Sequence, residues 1–89
     1  MSTQNENGLL LNIEKLHTTE LGIIRIKRNL LLDEAADAVE WCKEKIQSPD
    51  ALIERRGKNW YVHIEHCEIT VNAYSYTIIT AHRKRGDSV

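Results

Sequence analysis

The sequence is poor in several residue types, and each shortage excludes a class of protein. Its 89 residues include no phenylalanine, one proline and two cysteines. Two cysteines far apart in the chain do not make a disulfide scaffold, and free thiols are typical of a reducing compartment. No apolar run approaches the roughly 20 residues that cross a bilayer, and the polar N-terminus lacks a signal-peptide core. The sequence therefore predicts a cytoplasmic protein with no membrane partner.

Charge of either sign is not in excess, because 12 basic and 13 acidic residues leave a formal net charge of −1. Bulk charge therefore gives no argument for or against a nucleic-acid partner. The basic residues gather in three short clusters, which could converge into one positive patch or remain separate solvated turns. These clusters are Arg25, Lys27 and Arg28; Arg55, Arg56 and Lys58; and Arg83, Lys84 and Arg85.

Apolar residues recur at helical spacing through the first half of the chain. The first such pattern covers residues 9–16, and Thr18 or Thr19 can cap a second helix. Asp33 is the predicted N-cap of a third helix, which ends before Pro49. The sequence thus predicts helices over most of the first half.

After Pro49 the period changes from helical to alternating, which is typical of strands. We predict strands over residues 51–56, 60–65, 67–73 and 76–82. The two central strands have one apolar and one polar side, as expected when helices cover one face of an antiparallel sheet. The predicted fold is therefore α+β, with about three N-terminal helices on one face of a four-stranded antiparallel β-meander.

One domain is assigned to residues 8–83, after a disordered segment over residues 1–7 and before a polar tail over residues 84–89. Its predicted core includes Val39, Trp60, Val62, Ile69 and Val71. In the last strand we prefer the register that points Ile79 and Ala81 toward the helices, because the opposite register buries Thr80 and His82. The polar open face would then comprise Tyr61, His63, Thr70, Asn72, Tyr76, Ile78, Thr80 and His82.

Motifs for metal and covalent chemistry are absent. His63, His66 and Cys67 lie close in sequence, but structural zinc commonly needs a second close pair of ligands. No hydrolase elbow or phosphate-binding glycine loop is present, and Cys42 lies on the predicted buried side of a helix. We therefore predict no metal and no cofactor.

The open face has side chains that suit RNA. Tyr61 could stack on a base, which contributes about 1–3 kcal/mol, while Arg25, Lys58 and Arg83 could hold phosphates. His82 could act as a general acid or base in metal-independent RNA cleavage. The ordinary alternative is that these are common residues on a solvated sheet face, and that His82 merely ends an exposed strand.

A family resemblance is carried by residues 17–30, 57–62 and 69–82. These stretches resemble a family of small bacterial proteins catalogued as a domain of unknown function, and the run Ile78-Ile79-Thr80-Ala81-His82 is the most specific part. More distantly, the layout resembles the RelE, barnase, EndoU and colicin-type ribonucleases. That resemblance implies a toxin-like endoribonuclease and adds candidates by position, so that the catalytic set becomes His82, His17 and Thr80.

A non-enzymatic protein-interaction module is the competing class of function. Such a module could be an inhibitor, an antitoxin-like protein or a phage- or plasmid-borne modulator of a host complex. Trp60, Tyr61, Tyr74 and Tyr76 could supply its interface anchors. A convergent basic site on the sheet favours RNA, whereas scattered basic residues and an exposed apolar patch favour a protein partner.

Overall fold

The structure, a computed structural model, describes residues 8–84. In this part of the chain three α-helices precede one sheet, and none of them is long and apolar enough to cross a membrane. The helical elements are α1, described over residues 8–11, a 3-10 turn Ile13–Lys15, α2 Glu20–Leu30 and α3 Ala38–Ile46. The predictions for residues 1–7 and for the tail beyond Lys84 lie outside the described residues.

The second half of the described chain forms a four-stranded antiparallel sheet. Its strands are β1 Leu52–Arg56, β2 Asn59–Ile64, β3 Cys67–Asn72 and β4 Ile78–Arg83. Each strand pairs with the next one in sequence, so the order is β1-β2-β3-β4. The predicted α+β class and the antiparallel meander are confirmed.

Helix α2 begins where its capping residue predicts. The Thr19 hydroxyl accepts a hydrogen bond from the Gly22 backbone N–H at 3.0 Å, which satisfies one donor at the helix N-terminus. Leu31 ends the helix in the left-handed conformation, with φ +58°. Ile26 and Leu30 are buried and fix the face that α2 turns toward the core.

Helix α3 begins later than predicted. Asp37, and not Asp33, is the N-cap, and its carboxylate accepts the Glu40 backbone N–H at 3.1 Å. Asp33 instead accepts the Ala35 backbone N–H at 3.3 Å within a preceding turn. Both aspartates satisfy the local capping preference. The prediction of Asp33 was wrong because Ala38 is the first buried residue after Leu30. The helix that packs on the core therefore begins there, which makes Asp37 its N-cap.

The core lies between the helices and one face of the sheet. Four of the five predicted core residues, Trp60, Val62, Ile69 and Val71, are buried. Val39 is half-buried and packs against the edge of this cluster. The other buried apolar residues are Leu9, Leu16, Ile26, Leu30, Ala38, Cys42, Ile46, Ile53, Ile64, Ile78 and Ala81.

A β-bulge interrupts the alternation of β4. Thr70 of β3 pairs with Thr80, whereas the next residue, Val71, pairs with Ile78. Ile79 is therefore the extra residue, and 47% of it is exposed. A bulge inserts one residue into one strand and shifts the residues beyond it by one position.

This bulge overturns part of the predicted register. Ile78 and Ala81 are both buried, while Ile79 points outward. The prediction of an inward Ile79 and an outward Ile78 was wrong, because it assumed unbroken alternation. Thr80 and His82 nevertheless flank the buried Ala81 and lie on the polar side of the sheet, as predicted.

Tyr76 also departs from its predicted position on the open face. It precedes β4, has φ +62° and packs against Trp60, with the ring centroids 5.4 Å apart. A non-glycine residue rarely adopts this left-handed conformation. The conformation breaks the alternation of an extended strand, so Tyr76 joins the core side.

Val71→Asp tests which face of β3 is buried. An uncompensated buried charge costs about 3–5 kcal/mol, so we expect this variant to lose its native circular dichroism and its cooperative thermal transition. Leu52→Asp is the matched control, because Leu52 lies on the opposite face and is 71% exposed. A native melting curve for Val71→Asp would contradict the face assignment.

Candidate functional site

The face of the sheet turned away from the helices is polar. We define the open face by its alternating residues and their cross-strand partners: Leu52, Glu54, Arg56, Asn59, Tyr61, His63, Glu68, Thr70, Asn72, Thr80 and His82. Two of the four histidines of the chain belong to it. A sheet covered by helices on one side leaves such a face in contact with water.

One row of the open face carries two histidines and a carboxylate. Glu68 of β3 pairs with His63 of β2 on one side and with His82 of β4 on the other. Neighbouring strands are about 4.8 Å apart, so the two histidine backbones are separated by about 10 Å. His63 Nε2 also lies 3.5 Å from Glu54 Oε1.

Thr80 and His82 lie side by side, as their alternate positions in the strand require. The Thr80 hydroxyl is 3.4 Å from His82 Nδ1, a long contact between an exposed and a half-buried residue. This is the pair of side chains that the sequence places at the end of β4. The neighbours of His82 are therefore the Thr80 hydroxyl on the same strand and Glu68 opposite it on β3.

Arg56 and Tyr61 form a cation–π pair on the open face, at the end of β1 and β2 near their connecting turn. The Arg56 guanidinium carbon is 4.5 Å from the centroid of the Tyr61 ring, within the range of a cation–π interaction. The Arg56 side chain also lies 3.5 Å from Glu54 Oε2. Arg56 is thus the basic residue beside Tyr61, although the predicted RNA-binding cations were Arg25, Lys58 and Arg83. The alternation of Arg56 with Leu52 and Glu54 along β1 is a signal in the sequence that could have placed it on this face.

His17 belongs to a separate polar cluster at the turn between β3 and β4. Its Nδ1 is 2.8 Å from the Lys15 carbonyl oxygen, and a carbonyl can only accept, so Nδ1 carries a proton. In the neutral ring Nε2 then accepts from the Thr77 hydroxyl at 3.2 Å. Ser75 Oγ is 2.8 Å from the Thr77 hydroxyl, which continues the chain of hydrogen bonds.

The structure does not bring the three catalytic candidates together. His17 contacts Thr77, and His82 lies five positions further along the chain. At a rise of about 3.3 Å per residue this separates the two histidines by roughly 15 Å. A single phosphate can therefore contact the Thr80–His82 pair or His17, but not both.

The predicted phosphate-binding cations are dispersed. Arg25 is exposed on α2, in the helix layer, and Lys58 lies in the turn between β1 and β2. Arg83 lies at the opposite end of the sheet and pairs with Cys67. Of the predicted RNA-binding residues, only Tyr61 lies on the open face itself, and Lys58 borders it.

The two cysteines do not provide a reactive thiolate on the open face. Burial, together with the neighbouring Cys67, raises the pKa of the Cys42 thiol to about 12. Burial and the Glu65 carboxylate also raise the pKa of Cys67, against the opposing effect of Lys45 and Arg83. Among residues 8–84, no group of three or more histidine, cysteine, aspartate or glutamate side chains could hold a metal ion.

Comparison with known proteins identifies the family but gives no activity. No curated protein and no solved structure matches this chain, so the more distant resemblance to ribonucleases has no support from these comparisons. One family model, described as a protein of unknown function (DUF3781), matches residues 10–82. Because this match covers most of the sequence, the chain belongs to the DUF3781 family.

Proposed function

We propose that this chain is a cytoplasmic RNA-binding protein whose open face takes single-stranded RNA. The observation that carries this proposal is the Arg56–Tyr61 pair, with 4.5 Å between guanidinium and ring, on the polar face of β1 and β2 next to their turn. A ring stacks on any base, and a guanidinium stacks on a base or binds a phosphate. His63 on β2 and, across β3, Thr80 and His82 on β4 add hydrogen-bonding groups to the same face.

The same proposal extends to metal-independent cleavage at the row that contains His63, Glu68 and His82. One imidazole would take the proton from a ribose 2′-hydroxyl while the 2′-oxygen forms a bond to phosphorus. The bond from phosphorus to the 5′-oxygen then breaks, and the other histidine, protonated, gives its proton to that leaving oxygen. The products are a 2′,3′-cyclic phosphate and a 5′-hydroxyl, and no oxidant, reductant or metal is required.

His82 is the first candidate for one of these roles because the Thr80 hydroxyl lies beside it. His63 is the candidate for the other, because it occupies the same row on the far side of Glu68. His63 Nε2 lies 3.5 Å from Glu54 of β1, so this role requires the His63 ring to turn toward Glu68 and shorten the backbone separation of about 10 Å. His17, at the far end of β4, would contact a neighbouring nucleotide instead.

A protein-interaction role is the second candidate function. Two observations favour it: the predicted phosphate-binding cations are dispersed, and helix α2 exposes apolar side chains. Leu21 and Ile24 are 63% and 51% exposed and lie about one helical turn apart, and Leu31, which ends the helix, is 72% exposed. Arg25 and Arg28 lie beside them on the same helix. We call these five residues the α2 stripe. An exposed apolar stripe of this kind is typical of a surface that meets another protein.

Arg56→Ala tests RNA binding on the open face. We expect affinity for single-stranded RNA, measured by fluorescence anisotropy at low salt, to fall roughly tenfold. Arg25→Ala is the matched control, since it removes the same charge from the helix layer and should leave affinity nearly unchanged. Binding should also weaken steeply as salt rises, because phosphate contacts release counterions. Equal losses in both variants, or no measurable binding by the native protein, would remove this proposal.

His82→Ala tests cleavage separately from binding. With labelled RNA in excess chelator, we expect the cleavage rate to fall about a hundredfold or more, the usual contribution of a general acid or base. His63→Ala should have a comparable effect, and His66→Ala, which changes a histidine in the β2–β3 turn, should have none. Cleavage that survives both open-face substitutions, or absence of cleavage by the native protein, would contradict the assignment.

A further inference from the structure

A cleft opens on the helix side of the molecule, at the end of the sheet where β4 stops. Its volume is about 510 Å³, within the range of small-molecule sites. Seven residues from α2, α3, the β2–β3 hairpin and the end of β4 line it: Leu30, Trp41, Glu65, His66, Cys67, Arg83 and Lys84. None of these seven residues belongs to the open face or to the α2 stripe, so the cleft is a distinct surface.

The inner wall of the cleft is apolar and aromatic. Leu30 is buried at the end of α2, and Trp41 of α3 is half-buried beside the core. The Lys45 ammonium lies 5.3 Å from the centroid of the Trp41 ring, which helps to hold the indole in place. A half-buried indole in a cleft provides a flat surface for a planar ligand.

The rim of the cleft is positively charged. Arg83 and Lys84 follow one another at the end of β4, and the Lys84 backbone N–H donates to the His66 carbonyl oxygen at 2.6 Å. This hydrogen bond fixes the chain that carries both cations. The one acidic residue of the rim, Glu65, lies 3.6 Å from Lys45 Nζ, so its charge is already offset. Within residues 8–84, Arg83 and Lys84 form no salt bridge with an acidic side chain, so an anion at the rim would meet both cations.

We propose that this cleft binds a nucleoside monophosphate, with the base against Trp41 and Leu30 and the phosphate at Arg83 and Lys84. A phosphate monoester carries a charge near −2 at neutral pH, which two neighbouring cations match. A ring system and a sugar between the two groups suit a cleft of about 510 Å³, whereas inorganic phosphate would leave the apolar wall exposed to water. The proposal does not depend on RNA binding at the open face.

AMP titrated into the ¹⁵N-labelled protein tests this site directly. The chain has two tryptophans, so the indole N–H signals of Trp41 and the buried Trp60 provide an internal comparison. We expect AMP to shift the Trp41 indole signal saturably and to leave that of Trp60 nearly unmoved. Adenosine and inorganic phosphate, each lacking half of the contacts, should bind at least about tenfold more weakly.

The double substitution Arg83→Ala and Lys84→Ala should weaken AMP binding about tenfold or more while leaving adenosine binding unchanged. Lys58→Ala, which removes a cation from the opposite end of the sheet, is the matched control and should bind AMP normally. A native protein in which millimolar AMP fails to shift the Trp41 signal would overturn the proposal. An equal loss in Lys58→Ala would overturn it too, since the attraction would then be nonspecific.

Discussion

Helix α2 lies along β4, and side chains near both of its ends bind the backbone of that strand. The Thr18 hydroxyl donates to the Ile78 carbonyl oxygen at 3.0 Å, and the Asn29 amide donates to the Ala81 carbonyl oxygen at 3.3 Å. These two contacts join the helical half of the chain to its last strand across more than half of the sequence. The bulge at Ile79 lies between them, and it lets Ile78 and Ala81 both face the helix.

In β4, the residues that stabilise the fold are therefore different from the residues of the open face. The buried side of β4 supplies Ile78 and Ala81 to the core, whereas Thr80 and His82 point away from it. Substitution of a solvated polar residue usually changes the free energy of unfolding by less than about 0.5 kcal/mol. The solvated side chains of the open face, such as those of Thr80 and His82, are consequently available for binding without a large cost to the fold.

The sequence specifies the parts of this fold that depend on local chemistry. Alternation predicts the buried sides of β2 and β3, and Thr19 predicts the start of α2. Alternation cannot predict the bulge at Ile79. An unbroken strand buries either Ile78 or Ala81, and only the bulge lets both pack against α2. The left-handed backbone of Tyr76 is likewise not a local pattern of a strand. It accompanies a turn hydrogen bond to the Asn72 carbonyl oxygen, the tilted ring contact with Trp60 and the bridge from His17 to Thr77.

The candidate site, like the fold, could be predicted from the sequence only where local patterns determine it. Sequence patterns place Thr80 and His82 on one polar face, since their spacing decides this, but they do not show which charges accompany them. Arg25 and Arg83 belong to other surfaces, and Arg56 takes the place beside Tyr61. Which basic residues come together depends on strand register and on the direction of α2, and neither is encoded in a local pattern.

The central claim is that single-stranded RNA binds to the open face and not to the α2 stripe. Backbone amide shifts of the ¹⁵N-labelled protein, recorded while single-stranded RNA is added, test it most directly. The account predicts that the largest changes fall at Tyr61, Thr70, Thr80 and His82 and that the α2 stripe stays unmoved. Changes concentrated at Leu21, Ile24 and Leu31, or none at all, would contradict it.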